Sequence, residues 1–310
     1  MELSLLLGEE IIVLFLMAFV GYLIVKTGVL QVKDSKVLSM LVVYVFSPTA
    51  ILNSFQIPYT KEKMTGLALV LVVSAGIQFL FIFLVWLLGK IWKMNAIEKT
   101  SLVYTNSGYL VMPIVAGVMG EEWLFYVAVY SVVFQMLIWT HGISLLCDRQ
   151  ESDLKKVITN PNVIASILGV LVFVLQIQFP VVIGNTLSGL GKMVGPASIM
   201  AIGMLIGNID LKKAFRNKRI YVICFIRLLV LPAVVIMLMK LLGAVSVHSQ
   251  GKEILRITLF AAAAPVATVI AQIAQVHDGD AQYAGLLNAV SVILCIVTMP
   301  LMVLLYEVLL

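Results

Sequence analysis

Apolar residues run along this chain in long blocks, each closed by charged residues, glycines or prolines. The blocks cover residues 10–30, 37–52, 65–88, 100–119, 123–147, 162–179, 193–209, 220–241, 254–275 and 283–307. A helix needs about 20 mostly apolar residues to cross a hydrocarbon layer about 30 Å thick. The pattern therefore predicts an all-α polytopic membrane protein with ten transmembrane helices. The seventh block carries the weakest signal, because Gly195, Pro196 and Gly203 interrupt it.

The longest polar segment, residues 148–160, falls at the midpoint and leaves five blocks on each side. An odd number per half turns the halves upside down relative to each other in the membrane. The expected organisation is a first five-helix repeat over 1–147, a cytoplasmic linker over 148–160 and an inverted second repeat over 161–310. Transporters built this way place interrupted helices at matching positions of the two halves. Pro113 in the fourth block and Pro265 in the ninth stand 152 residues apart, and Pro48 in the second and Pro196 in the seventh stand 148 apart. Pro232 and Pro300 have no counterpart in the first half.

Composition sharpens this picture. Of 310 residues, 62% are hydrophobic and 12% charged, against about 25% charged in an average soluble protein, so no soluble catalytic domain fits between the blocks. Lysines and arginines are sorted by connector. Fourteen lie in the odd-numbered connectors, as Lys26, Lys33 and Lys36 or Lys212, Lys213, Arg216, Lys218 and Arg219 do, and six in the even ones and at the ends. Because basic loops stay in the cytoplasm, both termini are expected outside it. Leaving out the seventh block would put the most basic connector on the opposite side from the other three. Glu2, Glu9 and Glu10 stand where a cleaved signal peptide would carry positive charge, so the first block is expected to remain. The basic residues never gather with aromatics into a patch, which argues against nucleic acid. Cys147, Cys224 and Cys295 lie inside apolar blocks and read as small core residues.

The chemistry left inside the blocks is sparse. All sixteen acids lie at block ends or in connectors, so the embedded carboxylate expected of a cation antiporter is missing. Paired carboxylates, a metal-ligand cluster and a phosphate-binding glycine loop are missing too, and no enzyme, metal or cofactor is expected. A mid-helix proline removes a donor and crowds the carbonyl four residues back, which would free the carbonyls of Tyr109 and Ala261. Such breaks must face protein or a water-filled cavity. The fourth block reads Thr105-Asn106-Ser107-Gly108 ahead of Pro113. The ninth reads Ala261-Ala262-Ala263-Ala264 ahead of Pro265, with Thr268 just beyond.

Asn106 is the leading substrate ligand, since a mid-span amide both donates and accepts; Thr105, Ser107, Thr268 and Gln135 complete the candidate set. Helix halves beginning at Pro113 and Pro265 would aim positive ends at the midplane, while the preceding halves aim negative ends there. Arg227 lies eight residues past Arg219, about 12 Å along a helix. Its stem either snorkels to the cytoplasmic face or holds charge in the interior. His141 is either a packed helix contact or a group that makes transport pH-dependent.

The Asn106-to-Pro113 segment, Ala262-Ala263-Ala264-Pro265, and the closing run from Asn288-Ala289-Val290-Ser291 to Thr298-Met299-Pro300-Leu301 resemble the auxin efflux carrier family, in its bacterial branch related to the plant PIN carriers. Pro48 and the stretch from Asn160 to Gly169 are similar as well. The resemblance implies a bile acid:sodium symporter-like fold, with a scaffold from helices 1, 2, 6 and 7 and a mobile core from helices 3–5 and 8–10. It implies elevator-type alternating access around crossing helices 4 and 9, broken at Pro113, Pro265 and Gly108, in a homodimer of the bacterial inner membrane. The expected cargo is a small organic anion of the carboxylate class, with a possible coupling proton or sodium and with the lipid bilayer as the other partner. Two departures stand out. The long hydrophilic loop of many plant carriers shrinks here to 148–160, and Val266, Ala267 and Thr268 replace more polar residues, which weakens the case for auxin itself. A sodium-coupled symporter would need hard-cation ligands, for which only Gln135, Thr268, Gln272 and Asn288 are on offer. A non-transporting membrane sensor would need an output module, and no connector is long enough.

The charge sorting is testable. Lys155→Cys and Phe215→Cys should both react with a membrane-impermeant maleimide from the cytoplasmic side only; labelling from opposite sides would refute the ten-helix topology.

Overall fold

The computed structural model describes residues 2–107, 110–147, 159, 161–207, 217–276 and 279–310. The helices are α1 (Glu2–Lys26), α2 (Ser35–Leu41), α3 (Ser47–Ser54), α4 (Lys61–Ile91), α5 (Ala96–Val103), α6 (Val111–Val118), α7 (Leu124–Leu137) and α8 (Ile143–Cys147), then α9 (Pro161–Leu175), α10 (Val181–Lys192), α11 (Val194–Ile206), α12 (Lys218–Phe225), α13 (Leu231–Leu241), α14 (Gly251–Ala263), α15 (Val269–Val276) and α16 (Ala281–Leu309). Some of these join into longer rods, and five helices among the described residues are long and apolar enough to cross a membrane: Val32–Ser54, Lys61–Ile91, Glu121–Leu146, Lys218–Leu241 and Gln282–Leu309. The chain is a multi-pass membrane protein.

Three joints inside these rods are π-turns, over Val42–Phe46, Ile138–Gly142 and Ile226–Val230. Two of them precede a proline. Pro48 and Pro232 would press their rings on the carbonyls of Tyr44 and Leu228, and widening the turn relieves that clash without ending the helix. The third contains Gly142, where a Cβ would lie 3.1 Å from the Tyr104 ring, so glycine there lets that ring approach.

Helix starts follow local chemistry. Thr60 accepts from the Lys63 N–H at 3.1 Å to open α4, and Asn95 and Glu98 form a reciprocal capping box on α5. Asn217 and Asp280 cap α12 and α16. The segment expected as one span over 193–209 is preceded by a further helix, α10, with no buried residue. Its alternation of small and apolar residues had not marked it as an element.

Polar ties between helices gather into two sets. In the first, Glu98 is buried and receives Arg219 from α12 and the Tyr283 hydroxyl from α16 at 2.9 Å. At the other rim Glu307 of α16 pairs with Lys252 and Arg256 of α14, at 3.3 and 2.7 Å. His248 bonds the Glu62 carbonyl, and Gln78 of α4 donates to the Tyr130 hydroxyl of α7 at 3.2 Å. In the second set Gln56 bonds the backbone of Ile177 and Phe179, and Gln176 accepts from the Tyr59 N–H.

α1 and α11 pack so closely that a Cβ on Gly203 would lie 1.9 Å from the Ala18 carbonyl oxygen, and one on Gly21 would lie 2.2 Å from that of Met200. This is the small-residue contact by which membrane helices associate without a hydrophobic driving force. Between the sets the facing surfaces are apolar: Phe125 of α7 meets Phe55 at 4.9 Å and Phe173 at 5.1 Å. Lys192 and Glu121, both exposed, reach across at 3.6 Å.

Gly203→Val should push α1 and α11 apart and cost about 1–3 kcal/mol, read as a lower melting temperature of the purified protein; an unchanged value would show that this contact has slack.

Candidate functional site

Two helices are interrupted in mid-course and meet at the interruptions. α5 ends at Val103 and α6 begins at Val111; α14 ends at Ala263 and α15 begins at Val269. In between, Thr105 and Val266 form an antiparallel bridge. The Asn106 N–H donates to the Pro265 carbonyl at 2.7 Å, and the Ala267 N–H donates to the Tyr104 carbonyl at 3.1 Å. Extended backbone is thus paired inside the protein, the condition under which it is tolerated at membrane depth.

The breaks lie differently from where the prolines alone would put them. Pro113 is the third residue of α6, inside its first turn, where a missing N–H costs nothing. The chain has left the helix well before it, and α6 begins at Val111 rather than at Pro113. Pro265 does lie within its break, but the second half starts at Val269. Gly108 and Tyr109 lie outside the described residues.

The second break is satisfied almost atom by atom. Ser291 Oγ accepts from the Val266 N–H at 3.0 Å, and Asn288 Nδ2 donates to the Val266 carbonyl. Asn288 and Ser291 are three apart on α16, so both face the same way. Arg227 closes the end of α14: its Nη2 donates to the carbonyls of Ala262 at 2.6 Å and Ala264 at 3.1 Å. It is wholly buried, with its guanidinium 5.1 Å from the centre of the Phe81 ring. Snorkelling is therefore excluded. Arg227 holds its charge in the interior, on the π-turn ahead of Pro232.

The first break is furnished differently. Thr105, Asn106 and Ser107 are all buried there, Asn106 3% exposed and the others not at all. Among the described residues Asn106 Nδ2 and Ser107 Oγ have no partner, nor do Arg227 Nε and Nη1. These are hydrogen-bond donors without protein acceptors. The four helix ends that converge here no longer cancel, because Arg227 covers the negative end of α14 while the positive ends of α6 and α15 remain. The arrangement favours negative charge.

Other expected residues stand further off. Thr268 is half-buried at the start of α15, where its carbonyl accepts from Ala271. Gln135 is engaged by Trp139 Nε1 at 3.1 Å, one turn along its own helix. The Gln272 side chain lies outside the described residues. His141 reaches the crossing indirectly, with Nδ1 2.9 Å from the Tyr104 hydroxyl, which itself donates to the Leu137 carbonyl at 2.8 Å. Since that hydroxyl proton is committed, His141 donates from Nδ1. Ser101 and Ser291 add to the expected set. The signal for each is a second polar residue one turn earlier on the same helix, Glu98 and Asn288.

A multi-pass membrane protein whose broken helices cross around buried, unpaired donors belongs to the class of transporters. The sequence model of the family described as membrane transport protein matches residues 7–155 and again 149–303. The chain belongs to this family, the auxin efflux carrier family that its motifs resemble. It is similar to an uncharacterized transporter of Methanocaldococcus jannaschii, 26% identical over 209 residues that make up 63% of this chain and 68% of that protein.

Ser291→Ala would leave the Val266 N–H without an acceptor. The expected cost is about 1–3 kcal/mol, measured as a fall in thermal stability; no change would mean that the bridge does not need this support.

Proposed function

We propose that the protein is a secondary active transporter that carries a small organic anion of the carboxylate class across the bacterial inner membrane. The observation that carries this reading is the set of buried donors at the crossing that have no acceptor among the described residues: Asn106 Nδ2, Ser107 Oγ, and Nε and Nη1 of Arg227. A carboxylate is an acceptor-only group that would complete them, and hydrogen bonds to a charged partner are worth about 1.5–3 kcal/mol each. Thr105, Thr268 and Gln135 complete the proposed ligand set, and His141 adds a proton-sensitive contact through Tyr104. The guanidinium of Arg227 already fills the carbonyl-lined end of α14, where a coupling cation would sit, so transport does not require sodium.

Elevator-type alternating access draws support from how the polar ties are shared out. The first set joins α4, α5, α7, α12, α14 and α16 into one body. The second joins the α3 end to the α9 end, with α1 and α11 locked by their glycines. An apolar interface such as that of Phe125 with Phe55 and Phe173 has few hydrogen bonds to break when one body slides on the other. Ten transmembrane helices in two inverted repeats, divided by the linker at 148–160, accommodate this division, and the two family matches meet at 149–155. Both termini lie outside the cytoplasm in this reading, and the carrier works as a homodimer.

The test is uptake into proteoliposomes of labelled acetate, succinate, glutamate and indole-3-acetate, given as sodium or choline salts, with thermal shifts of the purified protein as a binding readout. At least one anion should be carried equally well with either cation. Asn106→Ala should lower its uptake by roughly tenfold or more at unchanged yield and melting temperature. Full activity of that variant would remove Asn106 from the site, and strict dependence on sodium would replace this reading with a symporter.

A further inference from the structure

Buried hydroxyls on helices in this protein generally bond back to their own backbone. Ser131 donates to the Val127 carbonyl at 3.0 Å, Ser166 to that of Asn162 at 2.7 Å and Thr258 to that of Leu255 at 2.8 Å. Thr100, beside Ser101 on α5, donates to Ala96 at 2.7 Å. Ser101 departs from this habit: it is wholly buried, it is helical, and its Oγ has no partner among the described residues. It stands two residues before α5 gives way to the break. Four residues before Thr105, it belongs to a helix that packs against the π-turn carrying Arg227 and against α15, the half-helix that leaves the second break, as well as against α4, α8 and α16. The hydroxyl thus joins Asn106 Nδ2, Ser107 Oγ and the free nitrogens of Arg227 as an unmet polar group around one crossing. Ser198 also lacks a partner, but it lies on α11, which packs on α1 in the other set of helices.

We propose that Ser101 is a ligand-binding residue of the crossing, its hydroxyl donating to an oxygen of the transported anion. The proposal rests on the transport reading above and extends it to a residue that its motifs do not mark. A buried hydroxyl without an acceptor destabilises the empty protein, and a ligand that supplies the acceptor removes that cost. Ser101→Ala should therefore gain stability and lose affinity together.

The expected result is a melting temperature raised by roughly 2 °C or more without ligand, with KM for the carried anion raised about tenfold. Ser198→Ala, the control, should gain stability with KM unchanged. Ser101→Ala with raised stability and unaltered KM would make the hydroxyl a packing flaw and overturn the proposal. A second variant decides the matter without a known substrate. Ser101→Cys in proteoliposomes should react with the anionic reagent 2-sulfonatoethyl methanethiosulfonate at least tenfold faster than the cysteines of the wild-type protein, because a residue of the transport route meets water during the cycle. No reaction would overturn the proposal. If the wild-type protein carries none of the four anions, the transport reading fails for them, while the cysteine result still decides whether Ser101 faces the route.

Discussion

Backbone hydrogen bonding at the crossing is the constraint on which the rest of this protein depends. An N–H or C=O left open in hydrocarbon costs several kcal/mol, and two helices are opened here within a few ångströms of each other. They repair one another: the bridge of Thr105 with Val266 and its flanking bonds from Asn106 and Ala267 turn two defects into a two-residue piece of sheet. α16 exists in its present register because Asn288 and Ser291 must reach both backbone groups of Val266. α12 carries an arginine in its π-turn because the carbonyls of Ala262 and Ala264 need a donor that no helix can supply.

Arg227 gives this repair an electrical side. A guanidinium with no carboxylate in ion-pair range among the described residues would be costly in a dry interior. Its neighbours lower that cost: two carbonyls at the negative end of α14 and the face of Phe81. What they leave over is positive potential at the point where the first break holds its free donors. One side chain thus closes a helix and leaves its positive charge beside the first break. An Arg→Lys exchange would not be conservative here, since an ammonium has no planar face to lay on Phe81 and no counterpart to Nε and Nη1.

Much of this was legible from residue order because membrane insertion imposes coarse rules. Block length located helices long and apolar enough to cross a membrane at five of the ten blocks, and Pro265 marked a break because its ring cannot continue a helix. Asn106 stood out as an amide among apolar neighbours. Pro113 misled by position: a proline is as welcome in the first turn of a new helix as at the end of an old one, and the residue alone does not distinguish the two. α10 escaped notice since its Gly-Asn-Thr and Ser-Gly steps break the apolar pattern while its backbone stays helical. The division of labour between Asn288 and Ser291, and the idle hydroxyl of Ser101, depend on which atoms face which. That information lives in packing, between residues 22 and 25 positions apart where Asn288 and Ser291 meet Val266 and 161 apart where Thr105 meets it.

That separation along the chain bears on how the molecule is made. α5 is two turns long, below the length at which an isolated helix holds together in water, and the Asn106 N–H and the Tyr104 carbonyl beyond its end meet their partners only when Pro265 and Ala267 arrive. Ser291, which steadies Val266, comes later still. During synthesis the leading half must therefore wait, its break unanswered, until nearly the whole polypeptide has entered the bilayer. The capping box of Asn95 and Glu98, the packing of α5 on α4 and α8, and the bonds of the Tyr104 hydroxyl to Leu137 and His141 hold α5 in shape meanwhile. The crossing is consequently completed only after most of the chain has been made, and a chain truncated before α16 would lack Asn288 and Ser291, the two side chains that hold Val266.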